Sequence, residues 1–430
     1  MKAIILAAGE GKRLRPITSL RPKPMIPLLG KPLLEYIISG LKEAGIDQIL
    51  LIVGYKQEII KEYFEKATNH LKVKFDYITQ KDYLGTAHAA GLAKGYIKNE
   101  DFLLMYGDVF VDPEIFKGII TKYKEGKYEG LITLLTVSNP QDYGIIALNS
   151  QGLVEKIIEK PTPEQNAGNL ANAGIYIFNR LIFKAIEKTQ KSVRNEYEFT
   201  DSMNILINEF NGKIIGCTMN NYFWNDIGLP WQLFEANHFL LDRLKRQVNG
   251  NIEENVKIKG EVYIGKETTV KSGSYIQGPC YIGKNNIIGP NAFIRPYTSI
   301  ENNCHIGMSE LKNSLIFSNT AVPHFNYVGD SIICEKVNLG AGTKLSNLRF
   351  DNGNIKMKIN EKLIDSGRRK LGAILGPYSQ TGINASIMCG KKIGENSIIG
   401  AHTFVNEDVP PNTLYYQDSS GKVIKKKYIF

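Results

Sequence analysis

At 430 residues the chain is longer than one ordinary hydrophobic core supports, so two domains are expected. Hydrophobic residues at 43% and charged residues at 22% match a soluble globular composition, and no apolar run approaches the roughly 20 residues that cross a bilayer. The net charge of +10 fits solubility or anionic ligands such as phosphates and CoA; without an aromatic-and-basic motif, no nucleic acid or membrane partner is expected.

The N-terminal MKAIILAAGEGKRL meets glycine and charge too soon for a signal peptide, and reads as a first strand and loop. The five cysteines, Cys217, Cys280, Cys304, Cys334 and Cys389, are odd in number and never in CxxC spacing. Neither a zinc site nor a disulfide framework is expected, which places the chain in a reducing cytoplasm. Up to residue 228, strand-like and helix-like segments alternate: strands at 3–6, 48–53 and 102–106, helices at 33–44 and 56–66. Such alternation predicts a parallel sheet covered by helices, with ligands beyond the carboxyl ends of the strands. Residues 229–250 read as a linker helix, apolar at Leu233, Phe234, Leu240, Leu241 and Leu244, and broken by Asn249-Gly250-Asn251.

From there the period becomes six. Ile252, Ile258, Ile264, Val270, Ile276, Ile282, Ile288, Ile294, Ile300 and Ile306 are evenly spaced, with glycine following at Gly265, Gly283, Gly289 and Gly307. Leu339 and Leu345 continue the pattern, and Leu375, Ile387, Ile393, Ile399 and Val405 resume it. A left-handed parallel β-helix has this period, three hexapeptides making one triangular coil with the apolar residues inward. Residues 346–374 break the repeat with charge and are expected to form an arm leaving the coil. The expected organisation is an α/β, Rossmann-like domain over 1–228, the linker over 229–250, and the β-helix over 251–430. The clustered Lys422, Lys425, Lys426 and Lys427 read as a solvated tail.

Leu6-Ala7-Ala8-Gly9-Glu10-Gly11-Lys12-Arg13-Leu14 follows the first strand. Its glycines let backbone N–H groups approach phosphates, and Arg13 offers a fixed fork of donors, although a glycine loop alone also serves as a tight turn. The loop continues as Arg15-Pro16-Ile17-Thr18, Pro22-Lys23-Pro24-Met25 and Gly30-Lys31-Pro32, with Lys23 between two prolines. The combined LAAGxGxRLxPxT, PKPM and KP signature resembles the sugar-1-phosphate nucleotidylyltransferases. That resemblance implies a Rossmann-like fold that joins a sugar 1-phosphate to a nucleoside triphosphate and releases pyrophosphate. It implies triphosphate contacts from Leu6, Ala7, Ala8, Gly9 and Gly11, with Arg13 and Lys23 catalytic, and base recognition by Gln80, Gly85 and Thr86. Gly144, Glu159, Lys160 and Asn172 match the sugar-contacting segments, and Asp108 and Asp226 match the carboxylates that hold Mg²⁺. For Asp108 by itself, capping of a loop at a strand end is the alternative.

The second half resembles the acetyltransferase domain of the bacterial and archaeal bifunctional enzymes that form UDP-N-acetylglucosamine. Arg295-Pro296, Glu310-Leu311-Lys312, His324 to Asp330 in an HxxYxGD pattern, Asn338 to Thr343 and Asn347 carry the likeness. It implies that His324 deprotonates the amine of glucosamine 1-phosphate for attack on acetyl-CoA. Arg295 and Lys312 would hold the sugar phosphate, Glu310, Tyr327, Asn338 and Asn347 would orient the amine, and Ala341 would lie near CoA. One position departs: Gly353 stands where the bacterial pattern has lysine, and Lys356 would have to substitute. The same likeness implies a homotrimer or dimer of trimers. The rivals are a glucose-1-phosphate thymidylyl- or uridylyltransferase whose β-helix serves assembly or regulation, and a non-catalytic regulatory homologue.

Overall fold

The structure, a computed structural model, describes residues 1–165 and 168–428. Two compact units form: residues 1–10, 22–25 and 33–226 make the first, and residues 11–21, 26–32 and 227–430 make the second. The units therefore differ from a simple cut near residue 228, because two short pieces of the N-terminal loop pack with the C-terminal half.

In the first unit the elements run β1 (Lys2–Ala7), α1 (Leu33–Glu43), β2 (Gln48–Val53), α2 (Gln57–Leu71), β3 (Lys74–Thr79), α3 (Thr86–Gly91), β4 (Phe102–Tyr106), α4 (Glu114–Lys124) and β5 (Gly130–Thr136). They continue with β6 (Gly144–Leu148), β7 (Val154–Glu159), β8 (Leu170–Phe178), α5 (Ile182–Lys188), α6 (Phe199–Phe210) and β9 (Ile214–Thr218). The sheet order is β7-β6-β8-β4-β1-β2-β3, with β5 joined to β8 and β9 to β5. Strands β4, β1, β2 and β3 are mutually parallel, as the alternation predicts. The sheet is mixed, however, because β8 runs antiparallel to β4, β5 and β6, and β7 antiparallel to β6. The Asn149 side chain closes the β6–β7 turn by accepting from the N–H groups of Gln151 and Leu153 at 2.9 and 3.0 Å, so no crossover helix is needed there.

Both faces are covered, so the central strands are continuously apolar. Ala3, Ile5 and Ala7 of β1 join one core with Leu34, Ile38 and Phe116, while Ile4 joins the other with Phe183 and Phe199. Helix α1 buries Leu34, Ile37, Ile38 and Leu41, a stripe at helical spacing. It ends where Ile46 N–H donates to the Leu41 carbonyl and Gly45 N–H to that of Lys42, both at 2.9 Å. Helix α2 extends past the expected residue 66, because Ala67 and Leu71 continue its buried stripe from Ile60 and Phe64.

The second unit is a parallel β-helix. Ile252 pairs with Val270, Val270 with Ile288 and Ile288 with Ile306, each 18 residues on, one coil per step. From Ile264 to Ile306 every residue of the six-residue series is 0% exposed, so the series points inward. Ile252 and Ile258 are only partly buried. Beyond Ile306 the inward positions are Leu311, Ile316, Val322, Val328 and Ile333 before Leu339, so the coil continues with some steps of five residues. A strict six-residue period loses it there. The arm is a loop in one long coil: Ile333 pairs with Leu375, 42 residues on, and a hairpin lies between them.

The linker reading requires correction. Helix α7 spans only Gln232–Leu241, and Gln247–Val248 is already a strand paired in parallel with Tyr263–Ile264. The helix packs on the coils: buried Asn237 donates to the Tyr297 carbonyl at 2.9 Å and accepts from Ser299 Oγ at 2.6 Å. All five cysteines are unpaired. Among the described residues no helix is long and apolar enough to cross a membrane.

Candidate active sites

In the first unit the candidate residues gather beyond the carboxyl ends of parallel strands. Leu6 and Ala7 end β1, and Ala8 and Gly9 leave it. The Gly107 N–H donates to the Leu6 carbonyl at 2.8 Å and the Tyr55 N–H to the Ala8 carbonyl at 3.0 Å, so the loops after β1, β2 and β4 are tied together. Gly107 suits this close approach, since a Cβ would stand a tight 3.0 Å from the Leu6 carbonyl oxygen. A Cβ on Gly9, by contrast, would meet no heavy atom within 4 Å. Its backbone faces open space of the kind a phosphate could enter.

Lys23 is the electrostatic centre. Its Nζ lies 2.7 Å from Asp108 Oδ2 and 2.9 Å from the Asp226 carbonyl oxygen, and its side chain is 8% exposed against 39% for that of Asp108. One ammonium thus ties together the two positions expected to hold metal. Among the described residues no group of three or more His, Cys, Asp and Glu forms a metal cluster. The donor set is one or two carboxylates, which suits a Mg²⁺ ion that completes its shell with water and substrate phosphate oxygens.

The expected base and sugar segments adjoin through β4 and β8. Gln80, 5% exposed, has its side-chain amide 3.2 Å from His88 Nδ1, and its N–H donates to the Val53 carbonyl. Gly85 has φ +114°, and Thr86 Oγ1 accepts from the Phe199 N–H at 3.0 Å. Asn172 donates to the Tyr176 hydroxyl at 2.8 Å, which donates to that of Tyr106 at 3.1 Å. Burial pushes the Tyr106 phenol up to about 12, so it stays a neutral hydrogen-bonding group. Glu159 lies beside Gly144, where a Cβ would stand 2.8 Å from its Oε2, and Lys160 is exposed. Burial raises the Glu159 carboxyl above its ordinary value, partly offset by Arg194, whose Nη2 is 3.3 Å from Glu159 Oε1 and 2.8 Å from Glu198 Oε1. Arg194 and Glu198 were not among the sequence candidates; their i,i+4 spacing in Arg194-Asn195-Glu196-Tyr197-Glu198 is the signal that could have found them.

Arg13 belongs to the second unit. Gly11 opens its turn at φ 69°, Thr18 Oγ1 donates to the Gly11 carbonyl at 3.0 Å, and Leu14 and Ile17 are buried. The Arg13 guanidinium lies over Gly228, where a Cβ would be 3.1 Å from Nη2.

The second candidate site lies on adjacent coils. Strands β10 (Phe293–Ile294), β11 (His305–Lys312), β12 (Ala321–Gly329) and β13 (Lys344–Leu345) stack in register, placing Phe293, Glu310, Tyr327 and Lys344 in one column. Arg295 Nη1 is 2.7 Å from Glu310 Oε1. Lys312 Nζ is 3.3 Å from Asp330 Oδ2, which also accepts from Asn347 at 2.5 Å, while Asp330 Oδ1 accepts from Asn313 at 2.7 Å. Asn347 also donates to the Tyr327 hydroxyl at 3.2 Å. Gly329 makes room for this pair, since a Cβ would be 2.6 Å from the Asn347 amide nitrogen. Burial holds the Tyr327 phenol above its ordinary value. Asp330, 3% exposed, is therefore the hub that collects Lys312, Asn313 and Asn347, a role its place in the HxxYxGD pattern did not disclose.

His324 stands on a bulge. Met308 pairs with His324 but Glu310 with Tyr327, so β12 carries one extra residue there, and Phe325 takes φ 52°. Bulges of this kind re-aim side chains. His324 is exposed, and its carbonyl accepts from the Gly342 N–H at 2.8 Å. His305, not singled out in the sequence, lies near enough that the charge of His324, after burial and Lys271, helps lower its pKa. Asn338 is exposed and pairs with Ala321, and the Ala341 carbonyl accepts from the Asn384 N–H. Lys356 is not gathered into the Asp330 cluster. It sits on the hairpin of β14 (Lys356–Ile359) and β15 (Lys362–Asp365), lining a cavity of about 640 Å³ with Arg349, Phe350, Met388, Lys391 and Phe404.

Comparison with known proteins agrees with both halves. Residues 2–243 match the nucleotidyl transferase family model, and residues 276–376 match that of the GMPPB C-terminal domain. The bifunctional protein GlmU of Methanocaldococcus jannaschii is 44% identical over 97% of this chain and 98% of its own length. The bifunctional sugar-1-phosphate nucleotidylyltransferase/acetyltransferase of Sulfurisphaera tokodaii is 46% identical over 95% of this chain and 98% of its own. A crystal structure of UDP-glucose pyrophosphorylase bound to UDP-glucose aligns with 56% of this chain at 26% identity and a TM-score of 0.51. With relatives of this identity matched over nearly the whole length, the chain belongs to the bifunctional sugar-1-phosphate nucleotidylyltransferase/acetyltransferase family of GlmU type.

Proposed function

We propose that the chain makes UDP-N-acetylglucosamine in two steps. Glucosamine 1-phosphate is N-acetylated by acetyl-CoA on the β-helix, and the product reacts with UTP at the first unit to release pyrophosphate. The observation that carries the second step is Lys23, buried and spanning the Asp108 carboxylate and the Asp226 carbonyl at the carboxyl end of the sheet. The sugar phosphate oxygen attacks the α-phosphorus, the bond to the β-phosphate oxygen breaks, and the electron pair leaves on pyrophosphate. No protein nucleophile is needed. Arg13 and Lys23 neutralise the approaching anions, and the backbone from Leu6 to Gly11 cradles the phosphates. Mg²⁺, held by Asp108 and Asp226, would supply charge neutralisation on the phosphates. Glu159, with Asn172 and the tyrosine pair, supports the sugar.

For acetyl transfer, His324 takes a proton from the amine, whose nitrogen forms the amide bond as the thioester bond breaks and CoA leaves as thiolate. Arg295 and Lys312 meet the sugar phosphate, Glu310, Tyr327, Asn338 and Asn347 orient the amine, and Ala341 lies near CoA. Packing the three flat faces of a β-helix around an axis would bury surface that a monomer exposes, which supports assembly as a trimer or a dimer of trimers. Light scattering that returns a monomer would refute that assembly. Five unpaired cysteines support a reducing cytoplasm. The test of function is a matrix of triphosphates against sugar 1-phosphates, with acetyl-CoA consumption followed in parallel. Pyrophosphate release from glucose 1-phosphate alone, with no acetyl transfer to any amino-sugar phosphate, would make the β-helix an assembly domain.

A further inference from the structure

One face of the β-helix carries side chains that grip the loop pieces 11–21 and 26–32, all within the second unit. The face is a run of parallel strands that includes Cys280–Ile282, Thr298–Ile300, Leu315–Ile316, Ile332–Ile333 and Lys392–Ile393. At or just after these strands stand Tyr281, Glu301, Phe317, Glu335 and Glu395. Arg21 forms an ion pair with Glu335, and its guanidinium lies 5.4 Å from the centre of the Phe317 ring. Ser19 Oγ donates to Glu395 Oε2 at 2.9 Å, and the Gly30 N–H donates to Glu301 Oε1 at 3.1 Å. The Tyr281 hydroxyl closes on Gly30, where a Cβ would stand 2.3 Å from its oxygen.

The Arg21–Glu335 pair is an expensive one. Its side chains are 18% and 10% exposed, yet Arg21 Nε and Glu335 Oε2 are buried without a hydrogen-bond partner. Such a pair adds little net stability, and fixing a geometry is its better-attested use. Arg13 lies on the piece that it fixes.

We infer that Glu301, Glu335 and Glu395 of the β-helix are positioning residues for nucleotidyl transfer, holding the loop that presents Arg13. This rests on the assignment of Arg13 to the triphosphate. A loop fixed beforehand meets its anion without a further ordering cost, and a misplacement of about 1 Å costs on the order of 10²-fold in rate.

The test uses the full-length protein with Glu335→Gln, Glu335→Ala and the swapped pair Arg21→Glu/Glu335→Arg. Three quantities are read: amide exchange of residues 11–21, KM and kcat for UTP, and acetyl transfer to glucosamine 1-phosphate. The single variants should speed exchange in 11–21 and lower kcat/KM for UTP roughly 10- to 100-fold, mainly through KM, with acetyl transfer unchanged. The swapped pair should recover at least part of that loss. Wild-type exchange in 11–21, or wild-type kinetics despite faster exchange, overturns the inference. If acetyl transfer falls as well, the swapped pair decides: recovery of KM supports the inference and no recovery overturns it. A wild-type protein that releases no pyrophosphate from any triphosphate sinks the triphosphate assignment instead, and with it any role of these residues in that reaction, while exchange still reports whether they hold the loop.

Discussion

Replacing Asp330 by Ala removes the one acceptor group shared by Lys312, Asn313 and Asn347. The carboxylate is 3% exposed and the Lys312 side chain 21%, so the ammonium retains partial access to water while the two amides lose a buried partner. Breaking a buried pair costs about 3–5 kcal/mol, and each orphaned amide about 1–3. These terms overlap, because freed side chains rotate towards water, and about 3 kcal/mol is a conservative sum. At 1.4 kcal/mol per tenfold change, amide protection in strands β11 and β12 should fall about 10²-fold, which hydrogen exchange reads locally. Asn347 would then no longer be anchored under Tyr327, so KM for glucosamine 1-phosphate should rise while nucleotidyl transfer from N-acetylglucosamine 1-phosphate stays intact. Protection within threefold of wild type, together with an unchanged KM, would refute the role of Asp330 as a hub.

Asp108→Asn should strongly reduce pyrophosphate release with the fold intact; near-normal rates in saturating Mg²⁺ would remove Asp108 from the mechanism. His324→Ala should lower acetyl transfer by roughly 10² to 10⁴ while leaving nucleotidyl transfer unchanged, and normal acetylation by the variant would show that His324 is not the base. Burial pushes the Glu301 carboxyl from 4.5 up to about 7, against smaller opposing effects of the Gly30 N–H and Arg21. The folded state therefore holds a proton that the unfolded state releases, so this contribution is full below about 4.5 and lost as pH rises through about 7. It amounts to roughly 3 kcal/mol at most. Glu301→Gln should flatten that part of the stability–pH curve, and an unchanged slope between pH 5 and 7 would count against it.

Local chemistry made much of this protein legible from its residues alone. The run Leu6 to Arg13 announces a glycine loop after a strand because loop conformation depends on the residues that form it. The inward series from Ile264 to Ile306 announces a β-helix because each coil repeats the same side-chain geometry. Helix α1 and strands β2 and β4 follow for the same reason, their apolar spacing being set within the element. What the tertiary structure decided is what depends on pairing between distant segments. The five-residue steps at Leu311 and Ile316, and the bulge that carries His324, arise where neighbouring coils must stay in register despite unequal length. The mixed sheet follows from β8 inserting between β4 and β6, which no single strand pattern contains. Asp330 becomes a hub only when β12 brings it beside Lys312, Asn313 and Asn347. Arg21 and Glu335 stand far apart in the chain, and nothing in the residues around either one specifies the other. Only folding of the β-helix brings Glu335 to a buried position where a carboxylate needs a cation, and Arg21 supplies it.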